Sequence, residues 1–216
     1  MKNLLAKECR LAASPLAWLF IAFALMTMLP GYPILVGAFF VCFGLFQCYQ
    51  QGRENQDILY TVLLPIRKRD AVTAKYLFAC FIQSIAFVLM ALLTALRMTV
   101  LKDAAVYVQN PMMNANPLFL AGVLLIFAAF NGVFIRGFFN TGWKFARPFI
   151  LFGIFSFLVV IVFEALHHLP GMAFLNDTDG STAVHWIVLT LAAVIDIGVT
   201  LLSCRAAQRK FEQVDL

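Results

Sequence analysis

The sequence predicts an all-α membrane protein with six transmembrane helices, and three observations carry that prediction. Hydrophobic residues make up 62% of the 216 residues and charged residues 12%, about half the charged share of a soluble domain. Mean hydropathy is +0.89, and there are 23 phenylalanines. The scarce charges are clumped, leaving uncharged runs near the ~20 residues that one helical crossing needs. A soluble enzyme, a secreted disulfide scaffold and a disordered chain are all excluded.

The spans follow in order along one transmembrane domain. The first is expected at about 15–29, ended by Pro30-Gly31-Tyr32-Pro33, and the second at about 34–51. A polar segment, 52–70, leads to the third at about 71–96. The fourth, at about 118–139, opens after Pro117, and the fifth, at about 148–166, opens on Pro148. Pro170 and Gly171 separate it from the sixth, at about 184–204. Trp18, His185 and Trp186 are placed as interfacial anchors.

Charge gives the orientation. With the N-terminus inside, fourteen of the 16 basic residues face the cytoplasm, and only Arg97 and Lys102 face out. Both termini are therefore expected in the cytoplasm, which an even number of spans requires. The net charge of +5 reads as this retention of basic residues rather than as affinity for nucleic acid. The stretch 2–13 reads either as a surface segment whose Leu4, Leu5 and Leu11 dip into lipid or, because Glu8 falls among the leucines, as a flexible tail. Cys9, Cys42, Cys48, Cys80 and Cys204 form no CxxC pair and read as small packing residues.

The segment 52–70 carries the most information. Ile58, Leu59, Val62 and Leu63 share one face of a short helix, approached by Arg53, Glu54 and Asp57. Pro65 ends that helix, the basic triplet Arg67, Lys68 and Arg69 forms a turn, and Asp70 is placed to cap the third span. A connector needs only a few residues. An ordered amphipathic element in its place suits a docking surface.

These residues also carry a family resemblance. Phe46-Gln47, Gln50-Gln51-Gly52-Arg53-Glu54-Asn55, Asp57, Leu63-Leu64-Pro65-Ile66-Arg67-Lys68-Arg69-Asp70, Val72 and Lys75-Tyr76 resemble the ABC-2 type permeases. Within them, the likeness is to small bacterial six-helix subunits related to phenol-soluble modulin exporters. The resemblance implies that 52–70 is a coupling segment against a separately encoded ATP-binding subunit, present in two copies. Arg53, Glu54, Asp57, Ile58, Leu59, Arg67, Lys68 and Arg69 are then the expected contacts, the basic triplet serving equally as a lipid-phosphate anchor or by setting orientation alone. No GxxxxGK[ST] phosphate loop occurs in the chain. The resemblance therefore assigns ATP and Mg²⁺ to the partner and no cofactor to this chain. It further implies a second permease subunit, identical or not, the bacterial cytoplasmic membrane, and export of an amphipathic or hydrophobic peptide. The phenylalanine-rich spans suit such a cargo and suit lipid contact equally.

Ionisable groups within spans are costly and mark functional positions by default. Asp196 lies mid-way along the sixth span, Glu164 near the outer end of the fifth and Arg97 at the outer end of the third. Arg97 and Glu164 are expected at one depth, where an ion pair between them would hold the outer gate. Gln83, Gln47 and Asn131 are polar groups suited to bonding helix to helix. Glu164 and His167 stand at a metal-ligand spacing, but the pattern occurs once, at the boundary, and reads as interfacial. An ion-coupled secondary carrier using Asp196 and Glu164 is the alternative function, and no internal repeat supports it. An intramembrane enzyme would need a polar catalytic cluster, and only Glu164 with His167 and His168 approaches one.

Overall fold

The structure is a computed structural model that describes residues 2–9, 15–63, 66–141, 144–178 and 183–213. The described residues are helical with no strand among them. Along the chain run α1 (Lys2–Lys7), α2 (Pro15–Phe20), α3 (Val36–Glu54), α4 (Asp57–Leu63), α5 (Lys68–Thr99) and α6 (Ala105–Val108). They are followed by α7 (Pro117–Ala129), α8 (Arg136–Asn140), α9 (Ala146–Leu166) and α10 (Ala183–Glu212). A 3₁₀ segment, Ile21–Met28, continues α2, and a π-helical segment, Phe130–Ile135, joins α7 to α8.

Among the described residues, four helices are long and apolar enough to cross a membrane: α5, the continuous run Pro117–Asn140, α9 and α10. The protein is a polytopic membrane protein. The first expected span is the shorter apolar helix Pro15–Met28, part of which takes 3₁₀ geometry. The 2.0 Å rise of a 3₁₀ turn lets these residues reach about 25 Å, against about 21 Å for an α-helix throughout. The second, α3, ends in Gln50, Gln51, Arg53 and Glu54, and this polar end dilutes its apolar run.

The fourth span is the axis of the bundle. Of its apolar window 72% is buried, against 11% for α10, which packs along it while turning most of its own surface outward. Asn116 caps α7 by accepting from the Phe119 N–H at 3.0 Å, and Pro117 follows at the helix start, where no N–H is needed. Gly37 and Gly44 bring α3 close to the first segment; a Cβ on Gly37 would lie 2.7 Å from the Phe23 carbonyl oxygen.

Much of the phenylalanine lies inside the bundle. Phe46 stacks on Phe149 at 3.9 Å between centroids and Phe39 on Phe152 at 5.7 Å, while Phe134 meets Phe46 at 5.5 Å and Phe130 meets Phe152 at 5.2 Å, joining α3, the π segment and α9. With no hydrophobic drive between helices in lipid, such close packing supplies the association energy. The contact with cargo or lipid expected of the phenylalanines is left to exposed rings such as Phe81, Phe155 and Phe157. His185 also departs from expectation: it is buried, whereas Trp186 beside it is exposed as an anchor should be.

Candidate functional site

The helix α3 ends through one left-handed residue. Gln56 has φ of 53°, its N–H donates to the Arg53 carbonyl at 3.1 Å, and the chain reverses directly into α4. Asp57 then places its negative charge at the α4 N-terminus, where the helix dipole favours it. On this short helix Asp57 and Thr61 lie one turn apart and face the bundle, with the Thr61 hydroxyl donating to the Asp57 carbonyl at 2.6 Å. Tyr60 and Leu63 project the other way, 66% and 82% exposed.

The inward face of α4 meets a cluster of four charges. The Lys75 ammonium of α5 lies 2.7 Å from Asp57 Oδ2 and 2.6 Å from Oε2 of Glu8, which follows α1. Lys7 lies 2.5 Å from Asp57 Oδ1 and 3.4 Å from Glu8 Oε1, and its ammonium also donates to the Thr61 hydroxyl. Two cations balance two carboxylates, so the cluster is neutral. Glu8 is only 2% exposed and Lys75 is buried beside it. Burial works against the Asp57 charge, but Lys75 and Lys7 outweigh it and hold the carboxyl below its ordinary value. Buried ion pairs add little net stability, but their geometry fixes the register of the elements that bear them. Here they tie α1, α4 and α5 together at one point.

The other expected contacts are distributed around this latch. Glu54 and Arg53 are exposed, and the Arg53 guanidinium lies over the Phe145 ring at 4.9 Å. Arg67 is exposed and Lys68 is half-buried, both where α5 begins. Arg69 forms a two-pronged pair with Glu212 of α10, with Nη2 to Oε2 at 2.7 Å. The basic triplet is thus not a separate turn, since Lys68 and Arg69 already belong to α5. Asp70 is not the cap either: it lies in the first turn, stabilised by the helix dipole rather than by capping. The side chains of Ile58, Leu59 and Val62, and the whole of Leu64 and Pro65, lie outside the described residues. Leu63, grouped with them on one apolar face, is 82% exposed, more than Tyr60.

A second polar site lies deep among the spans. Gln83 of α5 and Asn131 of the π segment exchange two amide hydrogen bonds, at 3.2 and 3.0 Å. Asn131 also donates to the Thr200 hydroxyl of α10 at 2.9 Å, while its backbone carbonyl accepts from Tyr76 at 3.2 Å. The half-buried Asp196 lies one turn before Thr200 on α10, and its Oδ1 has no hydrogen-bond partner among the described residues. The π bulge is what turns Asn131 toward both neighbours, a local irregularity typical of functional positions.

A family model described as ABC-2 family transporter protein matches residues 3–212, nearly the whole chain. The chain belongs to that family. No curated protein and no solved structure matches it. As an ABC-2 family member it is a membrane permease of an ABC transporter, a class that associates with an ATP-binding subunit.

On the opposite side of this ABC-2 permease, the expected Arg97–Glu164 pair does not form. Arg97 donates to the Thr27 carbonyl at 2.8 Å and to Asn114 Oδ1 at 3.1 Å, with its guanidinium 4.1 Å from the Tyr107 ring centroid. Glu164 instead accepts the Met113 N–H at 2.9 Å. The two charges hold adjacent residues of one folded loop, Asn114 by its side chain and Met113 by its backbone N–H. Asn110 to Gly31 at 3.0 Å, and Asn116 to the Leu175 carbonyl at 2.8 Å, complete this outer clasp. His167 turns to the Pro111 carbonyl at 3.3 Å, away from any joint role with Glu164.

The inward latch was missed at the sequence level. Beyond its place in the family resemblance, Lys75 counts in the sequence only as one more inside charge, and Glu8 only as a flaw in an amphipathic pattern. A buried acid and a buried lysine near the same membrane face were the available signal, because neither is stable there alone.

Proposed function

We propose that this permease is the membrane half of an ATP-driven exporter and that α4 is the element its ATP-binding partner moves. The latch carries the reading: Tyr60 and Leu63 are presented outward, while Asp57 on the same helix is fastened to α5 through Lys75. Force applied to the exposed face is delivered to the base of a 32-residue helix rather than lost in a loose loop. Arg53 and Glu54 extend the contact, and Tyr60 is an aromatic anchor of the kind that dominates interfaces.

The outward apolar faces of α9 and α10 support assembly with a second permease subunit, and the complex carries two ATP-binding subunits. The concentration of basic residues on the α4 side supports a cytoplasmic coupling segment and cytoplasmic termini in a bacterial cell membrane. The cargo is an amphipathic or hydrophobic peptide moved outward.

Co-expression with the ATP-binding subunit tests the assignment. Tyr60→Glu and Leu63→Glu abolish co-purification, whereas Asp57→Asn retains the complex and its ATP hydrolysis but loses transport. Co-purification unchanged by both glutamates would overturn it.

A further inference from the structure

A lateral groove opens between the fourth span, α9 and α10. Its volume is about 530 Å³, and Ala129, Gly132, Val159 and Val199 form its walls, with Leu125 at one end and Arg136 at the other. The small residues make the space. A Cβ on Gly132 would lie 2.6 Å from Val199 Cγ1, so Gly132 is what lets α10 approach the π segment here. From Leu125 to Arg136 the helix climbs about 16 Å, half of a ~30 Å hydrocarbon core, so the groove spans one leaflet. That leaflet is the one on the α4 side, because Arg136 heads α8 at the same end of the bundle as α4.

Charge identifies the occupant. Arg136 is exposed, no carboxylate lines the groove, and among the described residues no ion pair engages the guanidinium. A guanidinium at the lipid headgroup level, above an apolar slot one leaflet deep, has the shape and polarity of an anionic phospholipid. We propose that the groove binds one anionic phospholipid of the α4-side leaflet, its phosphate on Arg136 and one acyl chain along Gly132. A second copy of this chain fits less well, because the acidic groups of α9 and α10 are engaged or withdrawn: Glu164 accepts the Met113 N–H, Glu212 pairs with Arg69 and Asp196 is half-buried.

The bound lipid wedges the fourth span from α10 on the side away from Asn131 and Thr200. It is thereby placed to influence the helix pair that holds the deep polar site.

Native mass spectrometry of the purified full chain, exchanged into mixed phosphatidylglycerol and phosphatidylcholine nanodiscs, tests this. The wild-type protein retains one phosphatidylglycerol per chain, preferred over phosphatidylcholine by about fivefold, the worth of one Arg–anionic lipid contact. Arg136→Gln still retains lipid but loses the preference. Val133→Phe, which fills the groove from its wall, loses the retained lipid while remaining monodisperse. Equal retention of both lipids by the wild-type protein, or a preference unchanged in Arg136→Gln, would overturn the proposal. So would efficient disulfide cross-linking between Val133→Cys in two copies without retained lipid, which would make the groove a subunit interface.

Discussion

Lys75 stands between Glu8 and Asp57, its ammonium 2.6 Å from one carboxylate and 2.7 Å from the other. One side chain of α5 thus holds both the N-terminal segment and α4. Lys75→Met leaves two buried carboxylates facing Lys7 alone. The expected loss is about 3 kcal/mol, the low end for a broken buried pair, because Lys7 still compensates in part. Thermal unfolding in detergent should show a clear fall for Lys75→Met and none for the exposed Arg67→Ala.

The pH response of the latch has a definite sign. The Asp57 carboxyl is held below its ordinary value, so its contribution is fully present above the unfolded carboxylate pKa and disappears as pH falls through the lower folded value. Limited proteolysis at Arg67 should therefore be constant from neutral pH to about pH 5 and accelerate only below about pH 4. Acceleration already at pH 6 would point to a different group.

Gln56 occupies the left-handed region at φ of 53°, which costs a non-glycine residue about 1 kcal/mol. Gln56→Gly removes that strain but adds freedom to the unfolded chain. The net expectation is a gain of at most about 0.5 kcal/mol. Gln56→Val, β-branched at the same φ, should destabilise α4 and weaken capture of the ATP-binding subunit.

In the membrane interior, Gln83 and Asn131 satisfy one another, so either substitution alone strands an amide. Gln83→Leu and Asn131→Leu should each cost ~1–2 kcal/mol, and the double variant less than their sum. A double-mutant cycle by unfolding in mixed micelles measures the coupling. Strict additivity would mean that the amide pair is not formed in the membrane.

The long spans were legible because composition alone dictates them. A run of twenty apolar residues has no other stable home, and structural boundaries at Ala146–Leu166 and Ala183–Glu212 begin within two residues of the expected starts. The helix α4 was legible from its apolar residues, but not its inward face. Asp57 meets a lysine 18 residues away, and that lysine meets a glutamate two helices before Asp57, distances that local spacing does not encode. Arg97 and Glu164 illustrate the same limit: their common depth was readable, but the loop that folds between them was not. The π segment left a faint trace in Asn131-Gly132, a polar and a small residue interrupting an apolar run.

The central claim is that the Glu8–Lys75–Asp57 cluster transmits motion from α4 into the bundle. Its most direct test is the distance between spin labels at Val100→Cys and Leu169→Cys, both exposed just past the ends of α5 and α9 that lie away from α4, measured in the complex with its ATP-binding subunit. With the native cysteines replaced, ATP should shift that distance in the otherwise wild-type protein. With Lys75→Met added, the partner should remain bound and hydrolyse ATP while the shift disappears. An equal ATP-driven shift with and without Lys75 would contradict the account.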